Sequence, residues 1–281
     1  MKRQARKLTA FSLSLLLTLV LTVMMLAGSF RLGVCNQTIF VRNVFDNDFY
    51  EDLYEQLDND LKFLLWEEEL PIELADNVFV DSQIYIDGKT YINSVLKGKE
   101  PKINTAKIEE TLTKNGKAYL EKKAEQVGET KLKSIQKKIE TIISETKQNY
   151  ETNISLKLAN YFYEFTTKYE KITTFILVGG LVLSAIFIVL LLAIYHRKYR
   201  ALRYVLYATI TATIANTLYV IYMTTVLTVS NVTGNQLYYE MVENYLKEAG
   251  KQGYFVSLVG VVLVITTFLF THMNKKKYKH S

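Results

Sequence analysis

Hydrophobic residues are concentrated in four segments of the chain that are almost free of charge. These segments cover residues 8–26, 172–194, 202–229 and 254–273. Each has about the 20 residues that a helix needs to cross a hydrocarbon core of ~30 Å. They show little of the polar stripe that a buried helix of a soluble protein carries. The pattern therefore predicts four transmembrane helices.

Three short clusters of basic residues, free of acidic side chains, flank these segments. The clusters are Lys2, Arg3, Arg6 and Lys7; Arg197, Lys198, Arg200 and Arg203; and Lys275, Lys276, Lys277 and Lys279. Lysine and arginine beside a transmembrane helix stay in the cytoplasm, so we take these twelve residues as the determinants of topology. One arrangement places all three clusters inside: both termini are cytoplasmic, and the segment between the first two spans lies outside.

This arrangement predicts an all-α membrane protein in which a mostly α-helical extracytoplasmic domain is inserted between transmembrane helices 1 and 2. The apolar stretch of the first span exceeds the roughly 7–15 residues of a cleavable signal peptide, which favours a signal anchor. The predicted divisions are a cytoplasmic N-terminus (1–7), transmembrane helix 1 (8–29), the extracellular domain (30–171), transmembrane helix 2 (172–195), a cytoplasmic loop (196–201), transmembrane helix 3 (202–229), an extracellular loop (230–253), transmembrane helix 4 (254–273) and a cytoplasmic tail (274–281).

Within the predicted extracellular domain, apolar residues recur at helical spacing. Phe49, Leu53, Leu57, Leu61 and Leu64 are three or four positions apart, which places them on one face of a helix. Acidic residues are spread over the remaining positions, from Asp46 to Asp60. The proline that follows at position 71 disfavours helical backbone in the residue before it, so we expect the helix to end there.

Two later segments leave alternatives open. Residues 78–97 fit a helical face, which we favour, but Asp87 followed by Gly88 between β-branched residues is also a hairpin signal. The stretch after Gly128 has no glycine or proline and can form one helix running into transmembrane helix 2, roughly 60 Å over forty residues. A loop near residues 149–153, folding the stretch into a hairpin, is the compact alternative.

The charge of the chain is unevenly distributed. Its formal net charge of +6 invites a nucleic-acid function, but residues 31–171 carry 25 acidic and 20 basic side chains, a net of −5. The basic excess is therefore a topology signal with an added attraction to anionic lipids, and we expect no binding of nucleic acid. The lysine-, isoleucine- and asparagine-rich, proline-poor composition suggests a low-GC bacterium, which makes the plasma membrane the expected location.

Motifs for catalysis or metal binding are missing from the sequence. There is no Gly-x-Ser-x-Gly, His-Glu-x-x-His, Walker or Cys-x-x-Cys motif, and the single cysteine, Cys35, excludes an intrachain disulfide. The pairs Asp46/Asp48 and Asp58/Asp60 lack the glycine of a calcium-binding EF-hand loop. A solvated acidic helix face explains them, although a weaker cation site or attraction to a basic partner stays open. We expect no enzyme, no cofactor and no metal.

One polar residue inside a predicted span stands out. Asn216 is the only amide well inside a transmembrane segment. Polar side chains at this depth commonly form hydrogen bonds between helices. Asn216 is therefore a candidate interhelical contact.

Two resemblances follow from these residues. The segments 50–57, Leu70-Pro71, 91–99 and 103–112 resemble a helical ectodomain of uncharacterised Gram-positive membrane proteins over roughly residues 40–125, which implies no activity and no site residues. The layout is also similar to FtsX-type ABC permeases, which use the outer domain to act on cell-wall enzymes and cytoplasmic elements to contact an ATPase. The N-terminal segment and inner loop of this chain are only about eight residues each, which leaves little surface for an ATPase.

The function expected from the sequence is non-catalytic. The extracellular helical domain would serve envelope interaction, sensing or accessory-subunit function, with the lipid bilayer and an external protein or cell-wall component as partners, and homo-oligomer formation left open. The alternatives are a permease, channel-like or FtsX-type mechanotransmitting subunit, and an immunity protein against a bacteriocin or toxin.

Overall fold

The computed structural model describes residues 3–46, 49–195, 197–226 and 236–277. In this part of the chain the backbone forms helices and no strand, which confirms the predicted all-α class. The helices are α1 (Arg3–Leu32), α2 (Gln37–Asp46), α3 (Phe49–Glu67), α4 (Asp81–Leu96), α5 (Ala106–Ala124), α6 (Glu129–Ile154), α7 (Lys157–Ile194), α8 (Lys198–Ile221) and α9 (Gln236–Lys277), with a short 3₁₀ helix (Ile72–Ala75) and a π-helical turn (Tyr222–Val226).

The chain divides into two compact units. Val44–Glu164 forms the first, which we call the helical domain, and Met1–Asn43 with Phe165–Ser281 forms the second, which we call the bundle unit. Helices α2 and α7 each contribute residues to both.

Four helical stretches are long and apolar enough to cross a membrane, as predicted, which marks the chain as a membrane protein. They are Gln4–Leu32, Glu129–Ile194, Lys198–Val226 and Tyr239–Lys276. Large apolar side chains face outward from them; Phe175, for example, is 79% exposed. Helix α9 begins at Gln236 and therefore takes in residues 236–253 of the predicted outer loop, while residues 230–235 lie outside the described part.

Small residues bring the helices of the bundle unit close together. A Cβ at Gly260 of α9 would lie 2.5 Å from Oγ1 of Thr213 in α8, and one at Gly253 would overlap Val220. The same holds for Gly33 at the end of α1, where a Cβ would overlap a carbonyl oxygen in α9. Backbone contact this close is how helices gain van der Waals energy in a membrane, where there is no hydrophobic drive between them.

In the helical domain, α3 supplies the core with one leucine face. Leu53, Leu57, Leu61 and Leu65 are all buried. Leu64, which the sequence pattern placed on this face, is only half-buried. The spacing of four positions continues from Leu61 to Leu65, so Leu65 takes the buried position instead. Helix α3 packs against α4 and α6, and α5 packs against α6.

Both open alternatives of the helical domain are now resolved. Residues 81–96 form a helix, α4, and Gly88 lies on its buried face, where a Cβ would overlap the ring of Tyr50 on α3. The glycine thus serves helix packing, and the hairpin alternative is wrong. The stretch after Gly128 is interrupted at Ser155–Leu156, between α6 and α7, so a single unbroken helix is wrong too. Residues 149–153 remain helical within α6.

Candidate functional site

Charge is strongly separated within the helical domain. Residues 46–81, which include α3 and the 3₁₀ helix, contain 13 acidic residues and one basic residue, Lys62. Residues 97–138 instead contain 12 basic and 6 acidic residues. The whole domain, with 24 acidic and 16 basic residues, has a net charge of −8. Its negative charge is therefore carried mainly by the segment around α3.

The solvent-facing side of α3 changes from acidic to aromatic along its length. Asp52 and Glu55 are exposed in the first half of the helix. Phe63 and Trp66, eight and eleven positions after Glu55, are 56% and 69% exposed in the second half. Their ring centroids lie 5.9 Å apart. We call Phe63 and Trp66 the aromatic pair.

The end of α3 is held by a Schellman motif, which fixes the position of Trp66. The backbone N–H of Leu70 donates to the carbonyl of Leu65 at 2.8 Å, and that of Glu69 donates to the carbonyl of Trp66 at 3.1 Å. Leu65 and Leu70 are both buried, which supplies the apolar contact typical of this motif. Glu69 occupies the left-handed position with φ 56°, where glycine is usual. The aromatic pair is therefore presented on an ordered helix end.

Carboxylates around the aromatic pair are mostly uncompensated. Glu68 forms an ion pair with Lys138 at 3.2 Å. In contrast, Glu67, Glu69 and Glu73 are exposed, and within the described residues none of them forms an ion pair. Glu67 and Glu69 follow Trp66 within three positions of the chain, so exposed rings and unpaired carboxylates occur together at this end of α3.

The second acidic pair of the sequence has internal partners. Asp58 pairs with Lys62 at 2.6 Å, and Oδ2 of Asp60 accepts a hydrogen bond from Nδ2 of Asn149 at 3.0 Å. In the first pair, Asp48 lies outside the described residues. Among the residues that the structure describes, no group of three histidine, cysteine, aspartate or glutamate side chains is placed to hold a metal ion.

A small cavity in the helical domain is lined by a partly buried polar cluster. Its volume is about 110 Å³, below the ~300–1,000 Å³ of ordinary ligand pockets. Both oxygens of Asp87 are occupied, since Oδ2 accepts from the hydroxyl of Tyr150 at 2.6 Å and Oδ1 from Nε2 of Gln83 at 2.9 Å. Burial, followed by the hydrogen bond to Asp87 and its charge, raises the pKa of Tyr150 above its usual value. This cluster links α4 to α6 and gives each carboxylate oxygen of Asp87 one internal partner.

Asn216, the candidate interhelical contact, lies fully buried among three helices of the bundle unit. Its Oδ1 accepts a hydrogen bond from Oγ of Ser29 in α1 at 2.8 Å. Its Nδ2 donates to Oγ of Ser257 in α9 at 3.0 Å and to the carbonyl of Gly253 at 3.3 Å. Asn216 therefore joins three helices with one amide.

The twelve basic residues of the topology clusters are distributed as follows. Arg6 and Lys7 of α1 line one pocket together with Arg200 and Arg203 of α8. Arg197 and Lys198 are exposed at the start of α8, and Lys275 and Lys276 belong to the last turns of α9. The backbone of Arg3 and Lys277 is described without their side chains, and Lys2 and Lys279 lie outside the described residues.

Comparison of the chain with protein-family models, with curated proteins and with solved structures gives no match. Sequence reasoning treated the acidic face of α3 as solvated and did not single out Phe63 or Trp66. Their spacing could have predicted their exposure, because both lie on the side of α3 opposite its leucine face.

Proposed function

We propose that this protein is a four-span protein of the bacterial plasma membrane with both termini in the cytoplasm, whose helical domain lies outside the cell and acts as a non-catalytic binding module. The four apolar helices support insertion in a membrane. The three acid-free basic clusters support this orientation, since lysine and arginine beside short loops stay in the cytoplasm.

The observation that carries the binding proposal is the aromatic pair with its free carboxylates. Tryptophan is enriched among residues that dominate protein interfaces, and Trp66 is the only tryptophan of the chain. It is largely exposed on an ordered helix end and next to an uncompensated negative charge. The partner that fits this surface is a protein segment with basic and apolar side chains, such as a cationic amphipathic helix.

Site-specific photo-crosslinking in living cells tests this proposal. A photoreactive phenylalanine analogue replaces Trp66 in the full-length protein, and in a matched control it replaces Lys117, an exposed residue of α5. We expect a defined adduct with a basic external protein from position 66 and none from position 117. No adduct at position 66, or the same adducts at both positions, would contradict a binding role for the aromatic pair.

The affinity for the crosslinked partner then separates apolar from electrostatic contributions. Trp66→Ala should weaken binding by about 2 kcal/mol, or roughly 30-fold, the size expected for an interface anchor. Tyr161→Ala removes another exposed ring of the helical domain and should change affinity by less than about twofold. Glu67→Gln with Glu73→Gln should weaken binding at low salt and much less at high salt, because salt screens exposed charges.

A further inference from the structure

One end of the bundle unit contains a pocket of about 370 Å³ lined by cations from two distant parts of the sequence. Arg6 and Lys7 come from α1, and Arg200 and Arg203 come from α8. Two separate topology clusters thus converge on one concave site. Positive charge beside a span needs no such convergence to set orientation, because the topology rule depends only on the number of charges in each loop.

No carboxylate of the surrounding helices is available to neutralise these cations. Residues 1–43 and 172–229, which carry α1, most of the membrane-spanning part of α7 and all of α8, contain no aspartate or glutamate. Within the described residues, none of the four cations forms an ion pair. Four like charges in one pocket repel one another, so an anion from outside the chain would stabilise the arrangement.

Tyrosines give the pocket an ordered floor. Tyr195 and Tyr204 stack with ring centroids 5.9 Å apart and an interplanar angle of 15°, and their hydroxyls lie 3.4 Å apart. Oγ of Ser14 donates to the carbonyl of Tyr204 at 3.0 Å, which ties this part of α8 to α1. Fully buried side chains, including Leu17 and Leu191, pack beneath. The cations therefore lie next to well-packed side chains, and tyrosine hydroxyls that can donate hydrogen bonds line the same pocket.

We propose that this pocket binds a phosphate group, carried either by the headgroup of an anionic phospholipid or by a soluble phosphate. Arginine forks match phosphate oxygens with two parallel hydrogen bonds, and the site offers three arginines, a lysine and tyrosine hydroxyls. Its volume lies in the range of ordinary small-ligand pockets and is sufficient for a headgroup. This inference goes beyond the proposed binding module and does not depend on which side of the membrane the pocket faces.

The test uses the full-length protein in lipid nanodiscs. Thermal unfolding and lipid retention by native mass spectrometry are compared in phosphatidylcholine alone, in phosphatidylcholine with phosphatidylglycerol, and in phosphatidylcholine with added inorganic phosphate. A higher Tm with retained phosphatidylglycerol identifies a lipid headgroup, and a higher Tm with inorganic phosphate alone identifies a soluble ligand. No change in either arm overturns the proposal.

A charge-conserving variant distinguishes a phosphate site from diffuse attraction. Arg6→Lys, Arg200→Lys and Arg203→Lys together keep the charge and hence the topology but lose the bidentate geometry. We expect the apparent affinity to fall about tenfold or more. The control, Lys275→Gln with Lys276→Gln, removes two charges from a different cluster. Its apparent affinity for phosphate should stay within about twofold of that of the wild type. Equal losses in both variants, or no loss in the first, overturn the proposal.

A second variant keeps the test informative if the triple replacement does not fold. Tyr204→Phe keeps the stacked ring and removes one hydroxyl of the pocket. We expect a weaker but measurable loss of phosphate affinity with unchanged Tm in phosphatidylcholine alone. An affinity equal to that of the wild type, with the triple variant unfolded, counts against the site.

Discussion

Replacing Asn216 by alanine removes the amide that joins α1, α8 and α9 in the bundle unit. Three hydrogen bonds disappear together: the one accepted from Ser29 at 2.8 Å and the two donated to Ser257 and Gly253 at 3.0 and 3.3 Å. Asn216 has 0% exposure, so water does not readily replace the lost partners. We expect Asn216→Ala to destabilise the bundle unit clearly while leaving the helical domain intact.

The size of the effect follows from the hydrogen bonds. Side-chain hydrogen bonds between membrane helices contribute about 0.6 kcal/mol on average and about 1.7 at most. Three of them give about 2–5 kcal/mol, to which the cavity left by the amide adds. Thr211→Val is the matched control in the same helix. The Thr211 side chain is exposed, and among the described residues it bonds only to the carbonyl of Tyr207 in its own turn. Thr211→Val should cost less than about 0.5 kcal/mol.

A double-mutant cycle with Ser257→Ala isolates one of these bonds. Unfolding is followed in bicelles by steric trapping, which gives free energies without leaving the membrane environment. The coupling free energy between positions 216 and 257 should be about 0.6–1.7 kcal/mol. A coupling near zero, or a loss from Asn216→Ala no larger than that of Thr211→Val, would refute the assignment of Asn216 as an interhelical contact.

Two further predictions concern the helical domain. Glu69→Gly should raise its free energy of unfolding by about 1 kcal/mol, because Glu69 holds the left-handed position of the Schellman motif at φ 56°. Asn77→Gly, at φ 58°, should raise the free energy of unfolding by less, since asparagine tolerates this region. Chemical denaturation that ranks the two variants in the opposite order would contradict this reasoning. The raised pKa of Tyr150 means that the folded protein keeps the hydroxyl proton while the unfolded chain releases it near pH 10. The stability that Tyr150 contributes is therefore present below about pH 10 and declines above it. The difference in unfolding free energy between wild type and Tyr150→Phe should shrink as the pH rises from 9 to 11, and a constant difference would show that folding does not raise the pKa of Tyr150.

Much of the fold follows from local sequence pattern. The apolar spacing of α3 and the composition of the four long apolar helices are local properties, and so is the position of Asn216 as the only amide within the predicted spans. Each of these features can be read from a short stretch of sequence, without information about which other segments pack against it. For the same reason the boundary of α9 was harder to predict, since residues 236–253 are polar enough for a loop yet continue the helix from the membrane-spanning part.

The candidate sites depend on tertiary structure and were therefore harder to predict from the sequence. Arg6 and Arg203 are almost two hundred residues apart, and only the packing of α1 on α8 brings them to one pocket. Gly88 looked like a turn residue because its local context, an aspartate and β-branched neighbours, carries no information about Tyr50 on another helix. The exposure of Trp66 likewise depends on which side of α3 the rest of the domain covers.

The central claim, a helical domain displayed outside the cell by four spans, is tested most directly by cysteine accessibility in intact cells. In a Cys35→Ser background, Lys117→Cys on α5 and Lys198→Cys at the start of α8 are treated separately with a membrane-impermeant maleimide. The account predicts labelling of Lys117→Cys in intact cells and of Lys198→Cys only after the membrane is permeabilised. Labelling of Lys198→Cys but not Lys117→Cys in intact cells would contradict it.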